Sequence, residues 1–143
     1  MRFFTKEWYL SMQPSTHQGN DQDCMDEKPW KKYARVIDQQ HISKELLRKL
    51  ALHDAEVLDS YVGNDRLCLR MEDVGTEGFC DLVLINPRIQ VQEQDLVGCL
   101  WLYEELYRIN DGYELHVLFW TGQDGANQRL AELSVKCDEI MIE

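Results

Sequence analysis

Two carboxylates, one imidazole and four aromatic rings fall at alternating positions in one stretch: Trp101, Tyr103, Glu105 and Tyr107, then Glu114, His116 and Trp120. In a hairpin turning on Asp111-Gly112, all seven project from one sheet face, because strand side chains alternate between faces. That register sets Tyr107 opposite His116 and Tyr103 opposite Trp120. Glu105 and Glu114 then lie diagonal to His116, within long side-chain reach. Two chemistries follow. Aromatic rings give contact area at low entropic cost and acids select a basic guest, so the face suits a binding platform. The same acids and imidazole also suit an acid–base or metal site, with His53, Asp54 and Glu56 joining from the start of the sheet. A third arrangement is internal: a helical cap lies on the face and its basic residues pair with the acids. A three-residue turn that includes Asn110 would shift the pairings and partly disperse the cluster.

Other chemical signals are sparse. His53-Asp54-x-Glu56 has ligand-type residues but equally suits the polar start of a sheet. His17 and His41 are isolated. There is no GxSxG, no Cys beside an activating base and no glycine-rich phosphate loop. Glu104-Glu105 and Asp138-Glu139 read as solvated edges. Cys24, Cys68, Cys80, Cys99 and Cys137 form no CxxC pair and no zinc-type spacing, and read as buried thiols in a reducing cytoplasm. No catalytic residue, metal or cofactor is therefore assigned.

The elements that must position the face divide near residue 52. Before it lies the helical patterning. Thr5 suits the cap of a helix to about Met12, in an arm dense with Phe3, Phe4, Trp8 and Tyr9. Residues 13–28 read as a polar loop. Pro29 opens a helix to about Gln40 with an apolar stripe of Tyr33, Val36 and Ile37, and Ser43 caps a segment through Leu50. After His53 the period becomes two. Residues 56–62 and 65–71 form a hairpin at Gly63-Asn64, with Leu58 and Val62 sharing a face with Leu67, Leu69 and Met71. The other face carries Asp59, Tyr61, Arg66 and Arg70 as a solvated set. Residues 79–86 suggest a central strand ended by Asn86-Pro87, and 88–92 an edge strand. Residues 129–142 alternate with a phase shift that implies a bulge at Asp138-Glu139.

Charge breaks at the same place. Nine Lys/Arg and seven Asp/Glu precede the break, and six and nineteen follow it, giving +2 and −13 of the total −11. A pI near 4.7 argues against nucleic acid and anionic membranes, both of which need a basic face. The N-terminal charges interrupt any signal-type apolar run, and no stretch approaches the ~20 apolar residues of a membrane span.

Met1-Arg2-Phe3-Phe4-Thr5-Lys6-Glu7-Trp8-Tyr9, Leu52-His53-Asp54-Ala55-Glu56-Val57, 100–107 and 113–119 together resemble an uncharacterised bacterial family of unknown function, DUF4085. The resemblance implies a bacterial cytoplasmic protein and a helix-then-sheet order. It implies no activity, cofactor or site residue.

The expectation is a single α+β domain over 1–143: N-terminal helices (1–52) packed on an antiparallel, mostly meandering sheet (53–143). Its function reads as non-enzymatic protein binding through Trp101, Tyr103, Glu105, Tyr107, Glu114, His116 and Trp120, to a basic protein partner. An immunity protein that neutralises a basic toxin is one concrete form. The alternative is a small enzyme or metal-binding protein with a Glu/His site on the sheet. Either a monomer or a homodimer, joined through 88–92 or exposed aromatics, fits the sequence.

Overall fold

A computed structural model describes residues 1–11, 28–73, 78–122 and 130–143. Most of the expected 13–28 loop lies outside the described residues. The elements are α1 (Lys6–Ser11), α2 (Pro29–Asp38), α3 (Lys44–Lys49), β1 (Glu56–Gly63), β2 (Arg66–Asp73), β3 (Gly78–Ile85), β4 (Arg88–Gln92), β5 (Leu100–Ile109), β6 (Gly112–Trp120), β7 (Leu130–Cys137) and β8 (Glu139–Ile142). The fold is mixed α+β: the described residues form three short helices and an eight-stranded sheet in the order β4-β7-β6-β5-β1-β2-β3-β8. Every strand pairing is antiparallel. None of the described helices is long and apolar enough to cross a membrane.

Two bent runs tie the sheet together. β3 passes into β4 through Asn86-Pro87, and β7 passes into β8 through Asp138. They pair with each other on both sides of the bends, Ile85 opposite Glu139 and Arg88 opposite Lys136. One wing, β1-β2-β3, is thereby joined to the other, β5-β6-β7. The wings also meet at a short β1–β5 contact, where Val57 N–H donates to Cys99 C=O at 2.9 Å and Trp101 N–H to Ala55 C=O at 2.8 Å. The sheet therefore curls around one core, which includes Leu69, Met71, Leu82, Trp101, Leu115 and Val135.

Turns and bulges correct the sequence-based register. The first hairpin turns on Asn64-Asp65, not Gly63-Asn64, with φ of 52° and 59°. Asn and Asp tolerate that left-handed pair, which matches the twist of the flanking strands. A bulge between Val57 and Asp59 then turns Val57, not Leu58, into the core opposite Met71. In the second hairpin Ile109 pairs with Gly112, so Asn110-Asp111 is the turn. Gly112 serves a different end: a Cβ there would lie 2.0 Å from the Cys137 carbonyl oxygen, so it permits the close approach of β7. The phase shift near Asp138 is present as the β7–β8 bend.

The helix starts follow local chemistry. Thr5 Oγ1 accepts from Trp8 N–H at 3.1 Å, Pro29 occupies the first turn of α2, and Ser43 Oγ accepts from Leu46 N–H at 3.4 Å. Ile42, Leu46 and Leu47 pack on the core. Beyond its contact with β1, the free edge of β5 is covered by side chains. Tyr33 OH accepts from Leu106 N–H at 2.7 Å, Gln40 Oε1 accepts from Arg108 N–H, and His53 Nδ1 lies 2.6 Å from Leu102 C=O.

Candidate functional site

The β5–β6 face gathers most of the expected residues, in a shifted register. Glu105 lies opposite His116, Tyr107 opposite Glu114 and Tyr103 opposite Leu118. The pairings of Tyr107 with His116 and Tyr103 with Trp120 are not formed, because the turn sits one residue earlier. A bulge between Trp101 and Tyr103 sends Trp101 to the opposite, core side, fully buried, where its Nε1–H donates to Glu104 Oε2 at 2.9 Å. Trp120 remains at the margin, 36 % exposed.

The N-terminal arm lies on this face. The Glu105 carboxylate accepts the backbone N–H groups of Arg2 (2.9 Å), Phe3 (3.0 Å) and Phe4 (2.8 Å) and the Tyr107 hydroxyl (2.6 Å). Burial pushes its pKa up, but the hydroxyl and the three N–H donors outweigh that and hold it below the ordinary carboxylate range. Phe4 stacks on Tyr103 with centroids 4.9 Å apart, and the Arg2 guanidinium sits 4.5 Å from the centre of the Tyr107 ring. The Met1 amine reaches Glu132 Oε1 at 2.8 Å. Behind it, Ser134 Oγ lies 2.7 Å from His116 Nδ1, and His116 Nε2 lies 3.5 Å from Glu114 Oε1. Burial, then the nearby amine, lower the His116 pKa, so the imidazole is biased to its neutral form.

Serine, imidazole and carboxylate in a row have the composition of a nucleophile and its base. The surroundings oppose that use. Ser134 is 4 % exposed beneath the arm, and its hydroxyl also contacts Glu132 at 3.3 Å. Glu105 is 0 % exposed with its oxygens occupied by donors from the chain itself. His53 instead lies beside Tyr103, its Nε2 3.6 Å from exposed Asp54. No group of three or more His, Cys, Asp or Glu is arranged to hold a metal ion among the described residues. This face can anchor the N-terminal arm.

A second sheet face is open. On the outside of β1-β2-β3-β8, the pairings define four rows: Gly63–Arg66–Ile85–Glu139; Tyr61–Cys68–Val83–Met141; Asp59–Arg70–Asp81–Glu143; and Glu56–Glu72–Phe79. Tyr61 is 57 % exposed and Phe79 61 %. The Arg70 guanidinium leans over the Phe79 ring at 5.6 Å. Six carboxylates and two arginines share the four rows, a net −4. Their field is felt at Cys68, whose thiol pKa is raised by burial and then by Asp81 and Asp59.

Sequence reasoning placed Asp59, Tyr61, Arg66 and Arg70 together but treated them as a solvated set. It missed Phe79 and Asp81, because the nearly continuous apolar run of 79–86 hides which residues point outward. The signal was available: pairing Glu72 with Phe79 and Arg70 with Asp81 brings both residues onto the Tyr61 face.

No protein-family model, no curated protein and no solved structure matches this chain. The resemblance noted for residues 1–9, 52–57, 100–107 and 113–119 implies no site residue and adds nothing to either face.

Proposed function

We propose that this chain is a non-enzymatic protein-binding module that offers the outer face of β1, β2, β3 and β8 to a basic partner. The observation that carries this reading is two aromatic rings, each more than half exposed, within a field of six carboxylates. Rings desolvate readily and supply contact energy, and the acids select a cationic guest and speed its capture. Capture of a basic toxin by an immunity-type protein is one form of this function. Cys68, Cys99 and Cys137 carry free thiols, which supports our placing of the chain in a reducing cytoplasm.

The test is an NMR titration with a soluble peptide of alternating Lys and Trp. Amide shifts should concentrate on β1–β3 and β8. Asp59→Asn with Asp81→Asn should weaken binding about tenfold, and the salt dependence should shrink with it. Shifts confined to other strands, or binding equal in the double variant, would sink the reading.

A further inference from the structure

The two outermost strands of the sheet, β4 and β8, differ in how they end it. β4 is blunted: a bulge between Ile89 and Val91 interrupts its register, and Glu93 just past its end is tied to Lys6. β8 is regular. Glu139, Ile140, Met141 and Ile142 lie opposite Ile85, Leu84, Val83 and Leu82 in an unbroken register. One step further, Asp81 and Glu143 exchange both backbone hydrogen bonds, at 3.1 and 3.0 Å. Bonded and non-bonded pairs alternate along an antiparallel ladder, so Glu139 and Met141 also turn their N–H and C=O toward β3. Ile140 and Ile142 therefore turn theirs away, to the free edge. Among the described residues no hydrogen bond reaches those outward groups. The free edge of β5, by contrast, is capped by Tyr33, Gln40 and His53.

α3 faces the β8 edge across a cleft of about 310 Å³. Leu46, Ile140 and Ile142 form its apolar lining, and the exposed Glu45–Lys49 ion pair borders it. Ile140 and Ile142 share the core side of the sheet with Leu82 and Leu84, whereas Glu139, Met141 and Glu143 lie on the acidic outer side.

We propose that the basic partner enters as an extended segment that adds to β8 as a further antiparallel strand, its apolar residues in the cleft and its Lys or Arg residues alternating with them on the outer side. This rests on the binding function proposed above and names the form of the partner. Hydrogen bonding supports it. Residues set opposite Ile140 and Ile142 would each exchange an N–H and a C=O with them, and a docked helix could supply no such row. The same residues point their side chains to the core side, beside Leu46, where a cleft of this modest size suits Val or Ile. Charge supports it as well. The intervening residues fall opposite Glu139, Met141 and Glu143, in the non-bonded pairs whose side chains approach most closely. Two carboxylates there, on a face of net −4, select cations at those positions and reject acids. An antiparallel direction follows the rest of the sheet, in which every pairing is antiparallel.

The experiment is an NMR titration of the full chain with a short capped peptide of alternating Lys and Val. The dissociation constant should be on the order of 100 µM, and at least tenfold weaker in about 1 M salt. The Ile140 and Ile142 amides should exchange with solvent more slowly in the complex. N-methylation of the Val nitrogens removes the donors aimed at β8 and should weaken binding at least tenfold. N-methylation of the Lys nitrogens, which face away, should change it less than about threefold. Both changes leave the protein untouched, so a folding defect cannot imitate them. Equal losses from the two methylated peptides, a greater loss from the Lys series, or unchanged exchange at Ile140 and Ile142 would overturn strand addition. If shifts still map to β1–β3 and β8 and fade in Asp59→Asn/Asp81→Asn, only the mode of docking is lost and the binding function stands. Absence of binding at about 1 mM also overturns the proposal, and the binding function falls with it only if the Lys/Trp peptide fails as well.

Discussion

Glu104 offers the sharpest test of the core. It lies opposite fully buried Val117, and its carboxyl accepts a hydrogen bond from Trp101 Nε1–H at 2.9 Å. Burial raises its pKa from 4.5 to about 7, only partly offset by the Trp101 bond. A carboxyl whose folded pKa lies above its unfolded one contributes most to stability below about pH 4.5. That contribution is lost progressively up to about pH 7, because the unfolded chain releases its proton first. The rise is about 2.5 pH units, worth about 3 kcal/mol. Glu104 keeps a small opening to solvent, so about 2 kcal/mol is expected. Glu104→Gln retains an oxygen for the Trp101 N–H and removes the charge, at about 1 kcal/mol for the new amide protons. The variant should therefore be slightly less stable than wild type at pH 5, where part of the loss has already occurred, and more stable at pH 8 by about 1 kcal/mol, or about 2–4 °C in Tm. Urea unfolding followed by tryptophan fluorescence at both values is the assay. His116 acts with opposite sign: its lowered pKa adds stability as pH rises toward the ordinary imidazole value of about 6.5. The difference between variant and wild type cancels that background. A stability difference that does not change between pH 5 and pH 8 would refute the assignment of a buried, largely protonated Glu104.

Two further perturbations follow from the same packing. Glu105→Ala should cost about 3–5 kcal/mol in urea melts, since it orphans three backbone N–H groups and the Tyr107 hydroxyl. Its depressed pKa implies stability that is present above about pH 4.5 and lost on acidification, and the variant should lack that acid limb. Gly112→Ala places a methyl 2.0 Å from the Cys137 carbonyl oxygen and should cost about 2–3 kcal/mol or abolish folding, while Gly98→Ala, with open space but φ of 87°, should cost about 1 kcal/mol by the same assay. Equal losses at the two glycines would contradict the close approach of β7 to β6.

Much of the architecture was legible because it rests on local rules. Thr5, Pro29 and Ser43 mark helix starts through their own backbone chemistry. The change to period two at residue 53 marks the sheet, and the phase shift at Asp138 marks the bend. Register was harder. Gly63 and Gly112 both look like turn residues, yet each is a strand residue flanking an Asn-Asp turn. At Gly112 the reason is tertiary, the approach of a strand some 25 residues later, which no local pattern encodes. The bulges at Leu58 and Leu102 likewise exchange the faces of Val57 and Trp101, and nothing in the alternation announces them.

The same limits explain why the first candidate face was chosen. A strand sequence shows which residues share a face, but not which segment lies on it. Glu105, Glu132 and Glu93 all engage the first six residues: Glu105 through three N–H groups, Glu132 through the Met1 amine and Glu93 through Lys6. These acids of the β4-β7-β6-β5 wing are thus used internally, by a segment that brings its own cations. The β1-β2-β3-β8 wing has no such segment among the described residues. Its carboxylates surround open aromatic rings and are offset by only two arginines. The split of +2 and −13 between the two parts of the sequence therefore conceals a finer division inside the sheet. One acidic group holds the arm, and the other is left facing outward. A partner should be sought at that second group, because there no described segment of the chain lies over the carboxylates.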